Sequence, residues 1–556
     1  MAERRRHANS IAVVRAAPGK IVLASLVHCL FGLSSHMQLA ALNPISTHVQ
    51  RFIRVGLNGS YDVEVENDGE LMTWVWSGTS VVFLVGCCVG SFAFGYVADS
   101  LGLRATLMVV SNLLCITGCI LQFVAVAVVE RIELLAFGRF LVGCSGGMCL
   151  LLSVYLAECS SDKNAAFFGS LVLGTPQFMV ALGTFFNLPF LLGRADAWHY
   201  SLLLPILPSS VHLLWAFYMR RSPKHLYITL NEKEEAERAF RFYQGMRGDW
   251  QSQVDEYEAE KHLRVTVAKH ASFWQILTNR HLRWPLILCT VAAAAAAFGG
   301  TDIANLYSKE LLNTSAVFPS AEDDDVASSY FTVFCLQIPS AFIGAFVVFY
   351  RAMDRFGRRP VYLLGVCCGV AATFSLFLSG FFGETSILNT VLCALGLVLA
   401  QFSIYVGPDF VIGVLPSELA PQNSRALTGG LSWTAHWVSN LVITLGFPPL
   451  ENLLGAQRHF AILPLTFGGV AAFIFLYYKL PESRGRTVEE LCSNWIDSGN
   501  DGMGDVADSQ KRLIRFGSFQ MEEMPQRWGS VAGCDFGDAG DSEMVLVEKG
   551  FRSSTL

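Results

Sequence analysis

Long uninterrupted apolar segments are the feature of this sequence that most restricts its fold. About twelve segments of roughly 20 or more residues occur, and each is long enough to cross a ~30 Å hydrocarbon core as a helix. They are continuously apolar rather than alternating, which predicts helices and not the strands of a membrane barrel. Charged residues make up only 15% of the 556 residues, so an ordinary soluble fold is excluded. The segments lie near residues 21–45, 73–98, 104–129, 135–157, 165–192, 199–219, 284–307, 329–351, 360–382, 387–416, 426–447 and 460–480.

Basic residues are distributed unevenly between alternate loops. Lysine and arginine precede the first segment, fill the loop 220–283 and follow the eighth and twelfth segments, whereas the other loops contain few. Loops rich in lysine and arginine stay in the cytoplasm, so both termini are predicted to be cytoplasmic. The two N-x-S/T sequons, at Asn58 and Asn313, fall in predicted exterior loops and are candidate glycosylation sites. We therefore expect a multi-pass protein of the plasma membrane.

Charged motifs at the ends of the segments occur twice along the chain. Asp99 and Arg104 belong to a G-x-x-x-D-x-x-G-x-R motif after the second segment, and Asp354 begins D-R-F-G-R-R after the eighth. Glu158 ends the fourth segment and Glu418 ends the tenth. The separation of this pair along the chain is nearly the same as that between Asp99 and Asp354. Duplicated halves around a central path are typical of transporters. The repeat predicts an N-terminal tail, a six-helix half, a cytoplasmic helical linker, a second six-helix half and a C-terminal tail, at 1–20, 21–219, 220–283, 284–480 and 481–556.

These charged groups are candidate latches. Acidic and basic side chains at cytoplasmic helix ends can pair across the two halves, and they re-enter water at little cost when the pair opens. The alternative is that short loops simply carry the charges that set topology, but the doubled motif favours the latch interpretation. The candidates share a position at predicted cytoplasmic helix ends: Asp99, Arg104, Glu158, Asp354, Arg358, Arg359, Glu418, Arg425, Glu482 and Arg484.

Several of these motifs together resemble a known family. The chain has G-R-F-L-V-G at 138–143, P-S-E at 416–418, Trp433 and Trp437 in the eleventh segment, and P-E-S-R-G-R-T at 481–487. Over residues 20–490 this pattern resembles sugar porters of the major facilitator superfamily, in particular the facilitative glucose transporters of animals. The resemblance implies an all-α bundle of twelve transmembrane helices in two pseudo-symmetric halves. It also implies uniport of a hexose or related polyol, held midway by the fifth, seventh, eighth, tenth and eleventh helices.

The chain departs from the family in the region of the sugar site. The family's Q-Q-x-S-G-x-N becomes A-A-F-G-G-T-D, which ends at Asp302, and G-P-G becomes G-P-D at Asp409. His436 replaces an asparagine, and Gln177 lies one helical turn from the position of the family's glutamine. Glucose itself is therefore predicted to be a poor substrate, because neutral hydrogen-bonding groups are lost. The substrate-binding candidates are Gln177, Asp302, Tyr307, Asp409, His436, Trp437 and Asn440.

The two acids inside the membrane need an explanation. A carboxylate at the bilayer centre costs roughly 2.5–3.5 kcal/mol on insertion scales, so Asp302 and Asp409 are candidates to bind a proton, polyol hydroxyls or a cationic group. The alternative is that Asp409 caps a helix break and that Asp302 stays hydrated near the exterior mouth. The first segment, from Ile21 to Thr47, contains no acid. Proton-coupled members of the family carry an Asp there, so the resemblance favours uniport.

Other functions remain open. One is a proton-coupled or organic-ion carrier of the same superfamily, and another is a non-transporting sensor with an eroded sugar site. No phosphate loop or nucleophile–base pair predicts an enzyme. The 15 cysteines are scattered mostly through apolar segments without metal-ligand spacing, so no metal or cofactor is expected. The net charge of −6 lies largely in tails and loops, and we expect no nucleic-acid partner.

The C-terminal tail has a different composition from the rest. Beyond about residue 495 it is rich in Gly, Asp, Ser and Glu, which predicts a disordered cytoplasmic extension. It ends in R-S-S-T-L, a sequence that fits capture by a PDZ-domain protein. The expected partners are therefore a small-molecule substrate, the lipid bilayer and a PDZ domain.

Overall fold

The computed structural model describes residues 19–61, 69–160, 171–172, 174–245, 249–266, 273–313, 323–350, 355–382, 386–484, 486 and 491. The predicted C-terminal extension and its PDZ-binding sequence lie outside these ranges. All regular elements of the described residues are helices. The principal ones are α1 Gly19–Phe31, α2 Ser46–Tyr61, α3 Gly69–Leu101, α4 Leu103–Val129, α5 Ile132–Gly147, α6 Cys149–Cys159, α7 Pro176–Phe186, α8 Ile206–Tyr218, α9 Lys233–Gln244, α10 Trp250–Thr266, α11 Arg280–Ala297, α12 Thr301–Asn313, α13 Ala327–Val347, α14 Arg358–Ser379, α15 Ile387–Val406, α16 Pro408–Leu419, α17 Gln422–Leu454 and α18 Leu463–Lys479.

Ten helical stretches of the described chain are long and apolar enough to cross a bilayer. They coincide with ten of the twelve predicted segments. The predicted fifth segment, 165–192, lies partly outside the described ranges, and its helix α7 has 11 residues. The predicted eleventh segment lies within α17, which has 33 residues but carries polar side chains such as His436 and Asn440. The helices therefore form a multi-pass membrane protein, with ten spans identified by length and composition.

Helix breaks recur at every third predicted segment. The first segment changes from α1 to a short 3-10 turn at Ser34–Gln38. The fourth breaks at Met148, between α5 and α6, the seventh at 298–300 and the tenth at Gly407. A broken helix is tolerated at membrane depth only where its freed backbone groups face protein or a polar space. The breaks therefore mark where a polar interior can form, a regularity finer than the twofold repeat read from the sequence.

The breaks in the seventh and tenth segments pack against the same helix, α14, and a Cβ on its Gly369 would lie 2.7 Å from Gly299 Cα. Gly300 has a φ of +77°, a conformation that residues with a side chain rarely adopt. The Thr301 hydroxyl, at the start of α12, donates a 2.9 Å hydrogen bond to the Ala400 carbonyl in α15. Pro408 begins α16 and packs against α14 at Gly365, where any side chain would overlap the proline ring. Both breaks are thus fixed by close backbone packing.

Glycines bring α3 and α5 into direct backbone contact. A Cβ at Gly86 would overlap the Phe140 carbonyl oxygen, and a Cβ at Gly143 would overlap that of Phe83. Gly90 and Gly147, one turn further along each helix, make the equivalent approach at Cys144 and Cys87. Both helices thus carry the G-x-x-x-G spacing that allows close packing of membrane helices, where van der Waals contact drives association.

The linker 220–283 contains the helix α9. It is docked on the N-terminal half: the Tyr243 hydroxyl lies 2.8 Å from the Tyr155 hydroxyl and donates to the Arg220 carbonyl at 2.7 Å. Gln244 Nε2 donates to the Cys159 carbonyl at the end of α6 at 3.1 Å. These bonds attach the start of the linker to the ends of α6 and α8.

We expect Gly86→Ala to destabilise the protein, because the added methyl group forces α3 and α5 apart, and overpacking of this kind costs roughly 1–3 kcal/mol. Gly78→Ala is the matched control on the same helix, since a Cβ there meets nothing within 4 Å. The measurement is the melting temperature of the detergent-purified protein. Equal melting temperatures for the two variants would contradict the close-packing interpretation.

Candidate functional site

The two predicted membrane acids occupy equivalent positions. Asp302 is in the first turn of α12, after the break at Gly300, and Asp409 is in the first turn of α16, after the break at Gly407. The N-terminus of a helix carries partial positive charge, which stabilises a carboxylate. Asp302 is 9% exposed, and the two breaks pack one turn apart on α14, with Gly299 against Gly369 and Pro408 against Gly365. The two acids therefore belong to one central site.

A chain of side-chain amides ends on Asp302. Gln177 Nε2, from α7, donates to Gln337 Oε1 at 2.7 Å, and Gln401 Nε2 donates to the same oxygen at 3.2 Å. Gln337 Nε2 donates to Asn305 Oδ1 at 3.0 Å, and Asn305 Nδ2 donates to Asp302 Oδ1 at 3.2 Å. All five side chains are at least nine-tenths buried. This amide ladder joins α7 in the N-terminal half to α12, α13 and α15 in the C-terminal half.

The sequence analysis identified two members of the ladder, Gln177 and Asp302, and missed the other three. Asn305, Gln337 and Gln401 lie within otherwise apolar segments, and a polar amide in such a position was the available signal. They supply neutral hydrogen-bonding groups in a site where the family's two span-seven glutamines are absent. Two acceptor atoms of the ladder, Gln177 Oε1 and Gln401 Oε1, are buried without a hydrogen-bond partner.

An aromatic cluster lies on α17. The rings of Trp433 and His436 stack with centroids 5.5 Å apart, and the ring of Trp437 meets His436 edge-on at 5.3 Å. His436 Nδ1 lies 3.2 Å from the Ala293 carbonyl of α11, and its Nε2 lies 3.1 Å from Asn440 Nδ2. The buried indole Nε1 atoms of Trp433 and Trp437 have no partner. The three candidates His436, Trp437 and Asn440 thus lie together, with Trp433 beside them.

Tyr307 has a different environment from the other candidates. Its hydroxyl donates to the Thr444 carbonyl on α17 at 3.3 Å, and its ring packs against Phe447 at 6.1 Å. It therefore fastens α12 to α17, and in this conformation its contacts are structural.

A second group of contacts joins the first segment to α12, at the end of the bundle opposite the predicted latches. Asn43 Nδ2 donates to the Asn305 carbonyl at 2.9 Å and to Ser308 Oγ at 2.7 Å. The buried ammonium group of Lys309 donates to Thr47 Oγ1 at 2.8 Å and to the Pro44 carbonyl at 3.4 Å. The sequence analysis did not identify these residues. They connect the two halves beyond the central site.

A separate buried cluster packs the N-terminal half. His28 Nδ1 lies 2.8 Å from His212 Nε2, and His212 Nδ1 lies 2.9 Å from Asn112 Nδ2. The His28 ring also meets the Tyr155 ring edge-on at 5.6 Å. These side chains join α1, α4, α6 and α8, so their polar groups hold the helices of one half together.

The best-formed predicted latch lies within the C-terminal half rather than across the two halves. Arg358 binds Glu418 with two guanidinium nitrogens, at 2.8 and 3.0 Å, in a pair only about one-fifth exposed. Glu482 accepts hydrogen bonds from the backbone N–H groups of Arg358 and Arg359 at 2.9 and 3.1 Å. Its carboxylate takes the space where a side chain on Gly357 would stand. The ends of α14, α16 and α18 are thereby tied together.

The N-terminal half repeats one part of this arrangement. Ser222 Oγ donates to Glu158 Oε2 at 2.5 Å, as Ser483 Oγ donates to Glu418 Oε2 at 2.5 Å. The contact in which the Glu482 carboxylate accepts from backbone N–H groups, the carboxylate cap, is not repeated. The residue before Ser222 is Arg221, where the C-terminal half has Glu482. The structural repeat therefore extends to individual contacts, with a change of chemistry at one position.

Three of the remaining basic candidates donate hydrogen bonds to backbone carbonyls. Arg104 donates to the Met219 carbonyl at 2.8 Å, and Arg484 donates to the Arg355 carbonyl at 2.8 Å. Arg359 donates to the Tyr477 carbonyl, and Arg425 lies in the first turn of α17. Asp354 lies outside the described residues, as do the side chains of Asp99, Asn58 and Asn313.

Comparison with known proteins identifies the family. The sequence profile of the family described as "Sugar (and other) transporter" matches residues 21–495. Facilitated glucose transporter member 7 of solute carrier family 2 from Mus musculus is 27% identical over 433 residues, which cover 76% of this chain and 80% of that protein. Member 3 from Ovis aries is 26% identical over 427 residues, covering 76% of this chain and 82% of that protein. The predicted resemblance is confirmed.

Solved structures show the same fold. A double-Trp mutant of XylE matches with a TM-score of 0.68 at 18% identity, covering 85% of this chain and 99% of that one. The inward-open xylose transporter XylE from E. coli matches with a TM-score of 0.65 at 19% identity, covering 85% and 100%. A further XylE structure, described as a proton:xylose symporter of the major facilitator superfamily, gives 0.67. With a profile match over most of its length, the chain belongs to the sugar (and other) transporter family and has the major facilitator fold.

Proposed function

We propose that this protein carries a hexose or a related polyol-like solute across the membrane by alternating access, as a uniporter. The observation that carries the proposal is the amide ladder, which joins the two halves at their polar centre. A polyol needs several converging donors and acceptors. The ladder and the aromatic cluster offer four buried polar atoms without a partner: Gln177 Oε1, Gln401 Oε1, Trp433 Nε1 and Trp437 Nε1. The relatives named as glucose transporters support the same solute class.

The predicted substrate-binding residues fit this proposal in different ways. Gln177, Asp302 and Asp409 belong to the central site, and Trp437 presents an apolar face with an unpartnered N–H. His436 and Asn440 bind each other, so we assign them the orientation of the aromatic cluster. Tyr307 is assigned to the movement of α12, because it links that helix to α17.

Uniport is supported by the surroundings of a buried arginine. Arg139, in the G-R-F motif of α5, is fully buried and donates to the Thr79 and Ser80 backbone carbonyls at 3.1 and 3.3 Å. The first segment contains no acid between Ile21 and Thr47, where proton-coupled members of the family carry an Asp, so no carboxylate of that segment can pair with Arg139. Proton coupling is the second candidate, favoured by the acids at 302 and 409 and by the fold shared with a proton:xylose symporter.

Alternating access requires contacts that form at one end of the bundle while the other end opens. We assign the Arg358–Glu418–Glu482 group to the cytoplasmic end and the Asn43–Ser308 and Lys309–Thr47 contacts to the exterior end. This assignment uses the predicted topology of twelve spans in the halves 21–219 and 284–480. It places both termini and the linker 220–283 in the cytoplasm, and the protein in the plasma membrane. A PDZ partner for the sequence at the C-terminus stays a prediction.

Flux measurements test the proposed function directly. The purified full-length chain in liposomes should equilibrate at least one labelled hexose or polyol in a saturable way, without accumulation under a pH gradient. A panel of hexoses, polyols, urate and organic amines separates the carrier classes. Measurable binding with no flux of any solute would identify a sensor and contradict the proposal, and accumulation driven by a proton gradient would contradict uniport.

The latch assignment predicts that Arg358→Ala and Glu418→Ala each lower turnover by about tenfold, because the charge left behind loses its hydrogen bonds, at roughly 1–3 kcal/mol. We expect both variants to favour the inward-open state. Arg238→Ala is the matched control, since its ion pairs with Glu234 and Glu235 lie on the exposed linker. Uptake per reconstituted molecule is the measurement, and normal turnover in both latch variants would contradict the gating role.

The topology predicts that Asn58 and Asn313 face the exterior. Asn58→Gln and Asn313→Gln should each remove one step of electrophoretic mobility that glycosidase treatment also removes, in protein expressed in a secretory-competent cell. Neither substitution is expected to change transport per molecule. Full-length protein insensitive to glycosidase would leave the exterior placement of these loops unsupported.

A further inference from the structure

The amide ladder has a direction, and Asp302 sets it. Along the ladder every amide N–H₂ points toward the carboxylate: the glutamines on α7 and α15 donate to Gln337, Gln337 donates to Asn305, and Asn305 donates to Asp302. An ionised carboxylate only accepts hydrogen bonds, so the group at the end of the ladder fixes the orientation of every amide before it. At least one N–H of each amide in the ladder is used within the protein.

The consequence is a centre rich in acceptors. The ladder leaves Gln177 Oε1 and Gln401 Oε1 buried without a donor, on side chains that are completely buried. The breaks that precede Asp302 and Asp409 pack one turn apart on α14, with Gly299 against Gly369 and Pro408 against Gly365. The Thr301–Ala400 hydrogen bond places the residue before Asp302 beside the residue before Gln401. The acids and the unpartnered acceptors therefore face one region of the protein.

Positive charge from the protein is held elsewhere. Lys309 is the one lysine or arginine in α12, α15 and α16, and it lies seven residues, about 10 Å along the helix axis, from Asp302. Its ammonium group binds Thr47 and Pro44 of the first segment. His436 is the basic side chain of the aromatic cluster, and its two ring nitrogens lie against the Ala293 carbonyl and Asn440. Two neighbouring carboxyl groups in a low-dielectric site strongly favour a cation that brings its own N–H donors.

We propose that the carried solute is a sugar or polyol bearing a protonated amine, whose ammonium group binds the acceptor-rich region formed by Asp302, Asp409 and the unpartnered amide oxygens. In the proposed binding mode the indole rings of Trp433 and Trp437, on the helix that His436 joins to α11, supply an apolar face to the sugar ring and an attractive face to the cation. This inference rests on the proposed function, because it names the substrate class of the same site. It also accounts for two acids where the family pattern has neutral residues.

The test uses the purified full-length protein in liposomes, with labelled glucosamine, galactosamine and mannosamine measured against the parent hexoses. Each amino sugar and its parent differ by one substituent, so they form matched pairs. We expect the amino sugar of at least one pair to be carried with about tenfold or greater preference, as a charge-assisted bond supplies. A cation carried alone also responds to voltage. An inside-negative potential of about 100 mV should concentrate the amino sugar about fiftyfold, while a neutral hexose only equilibrates.

Two substitutions connect the preference to the acids. Asp302→Asn and Asp409→Asn keep the size of the side chain and should each lower the preference for the amino sugar by about tenfold or more. Asp196→Asn is the control, because that exposed carboxylate pairs with Arg194 away from the site, and it should keep the full preference. The voltage measurement on the unsubstituted protein does not depend on the folding of any variant.

The outcomes are distinguishable. Hexoses carried as well as or better than their amino sugars would overturn the inference and leave the proposed function standing. Amino-sugar transport without a response to voltage, or hexose accumulation driven by a pH gradient, would also overturn it, the latter by assigning the acids to a proton. Saturable binding with no flux of any solute would overturn both proposals.

Discussion

The broken helices are the constraint on which the rest of this structure depends. In hydrocarbon every backbone N–H and C=O must be satisfied, so a helix is interrupted only where protein or polar space receives the freed groups. The breaks at Gly300 and Gly407 place two helix N-termini at the centre of the C-terminal half, and the acids of the first turns lie there. The partial positive charge of a helix end offsets part of the cost of a carboxylate at this depth. The polar centre is built on these two interruptions.

The two predicted halves repeat one contact and then differ in how they hold the helix ends that carry the latch candidates. The serine–glutamate bond occurs in both, from Ser222 to Glu158 and from Ser483 to Glu418. In the C-terminal half Glu482 and an ion pair close the helix ends, whereas the N-terminal half has Arg221 at the equivalent position and uses the hydroxyls of Tyr155 and Tyr243 with the linker helix. The linker thus stiffens the half that lacks the carboxylate cap, so the start of the linker is expected to move with that half.

The carboxyl group of Asp302 limits the hydrogen bonds that several neutral side chains can make. An asparagine at position 302 can donate or accept, so the amides of the ladder would be free to present either end to a solute. The carboxylate of Asp302 can only accept, so the amides of the ladder all donate toward it. The alanines that replace the family's two glutamines on α11 are matched by Gln337 and Gln401 on neighbouring helices. The site is therefore rebuilt from other helices, with a different balance of donors and acceptors.

The sequence by itself determined the class of fold and most of the spans, and it singled out charged residues that pair at the helix ends of the C-terminal half. Continuous apolar length and charge position are local properties that govern insertion into a bilayer. Arg358 and Glu418 were found from repeated motifs, and Glu482 from the P-E-S-R-G-R-T sequence at 481–487. It also identified Asp302, Asp409 and Gln177, because an acid in hydrocarbon is conspicuous and a family pattern was available. The recurrence of a helix break in every third segment and the partners of each polar group were decided only by the tertiary structure. Asn305, Gln337 and Gln401 are far apart in sequence, and a lone amide in an apolar segment acquires a role only when packing brings another amide within hydrogen-bonding distance.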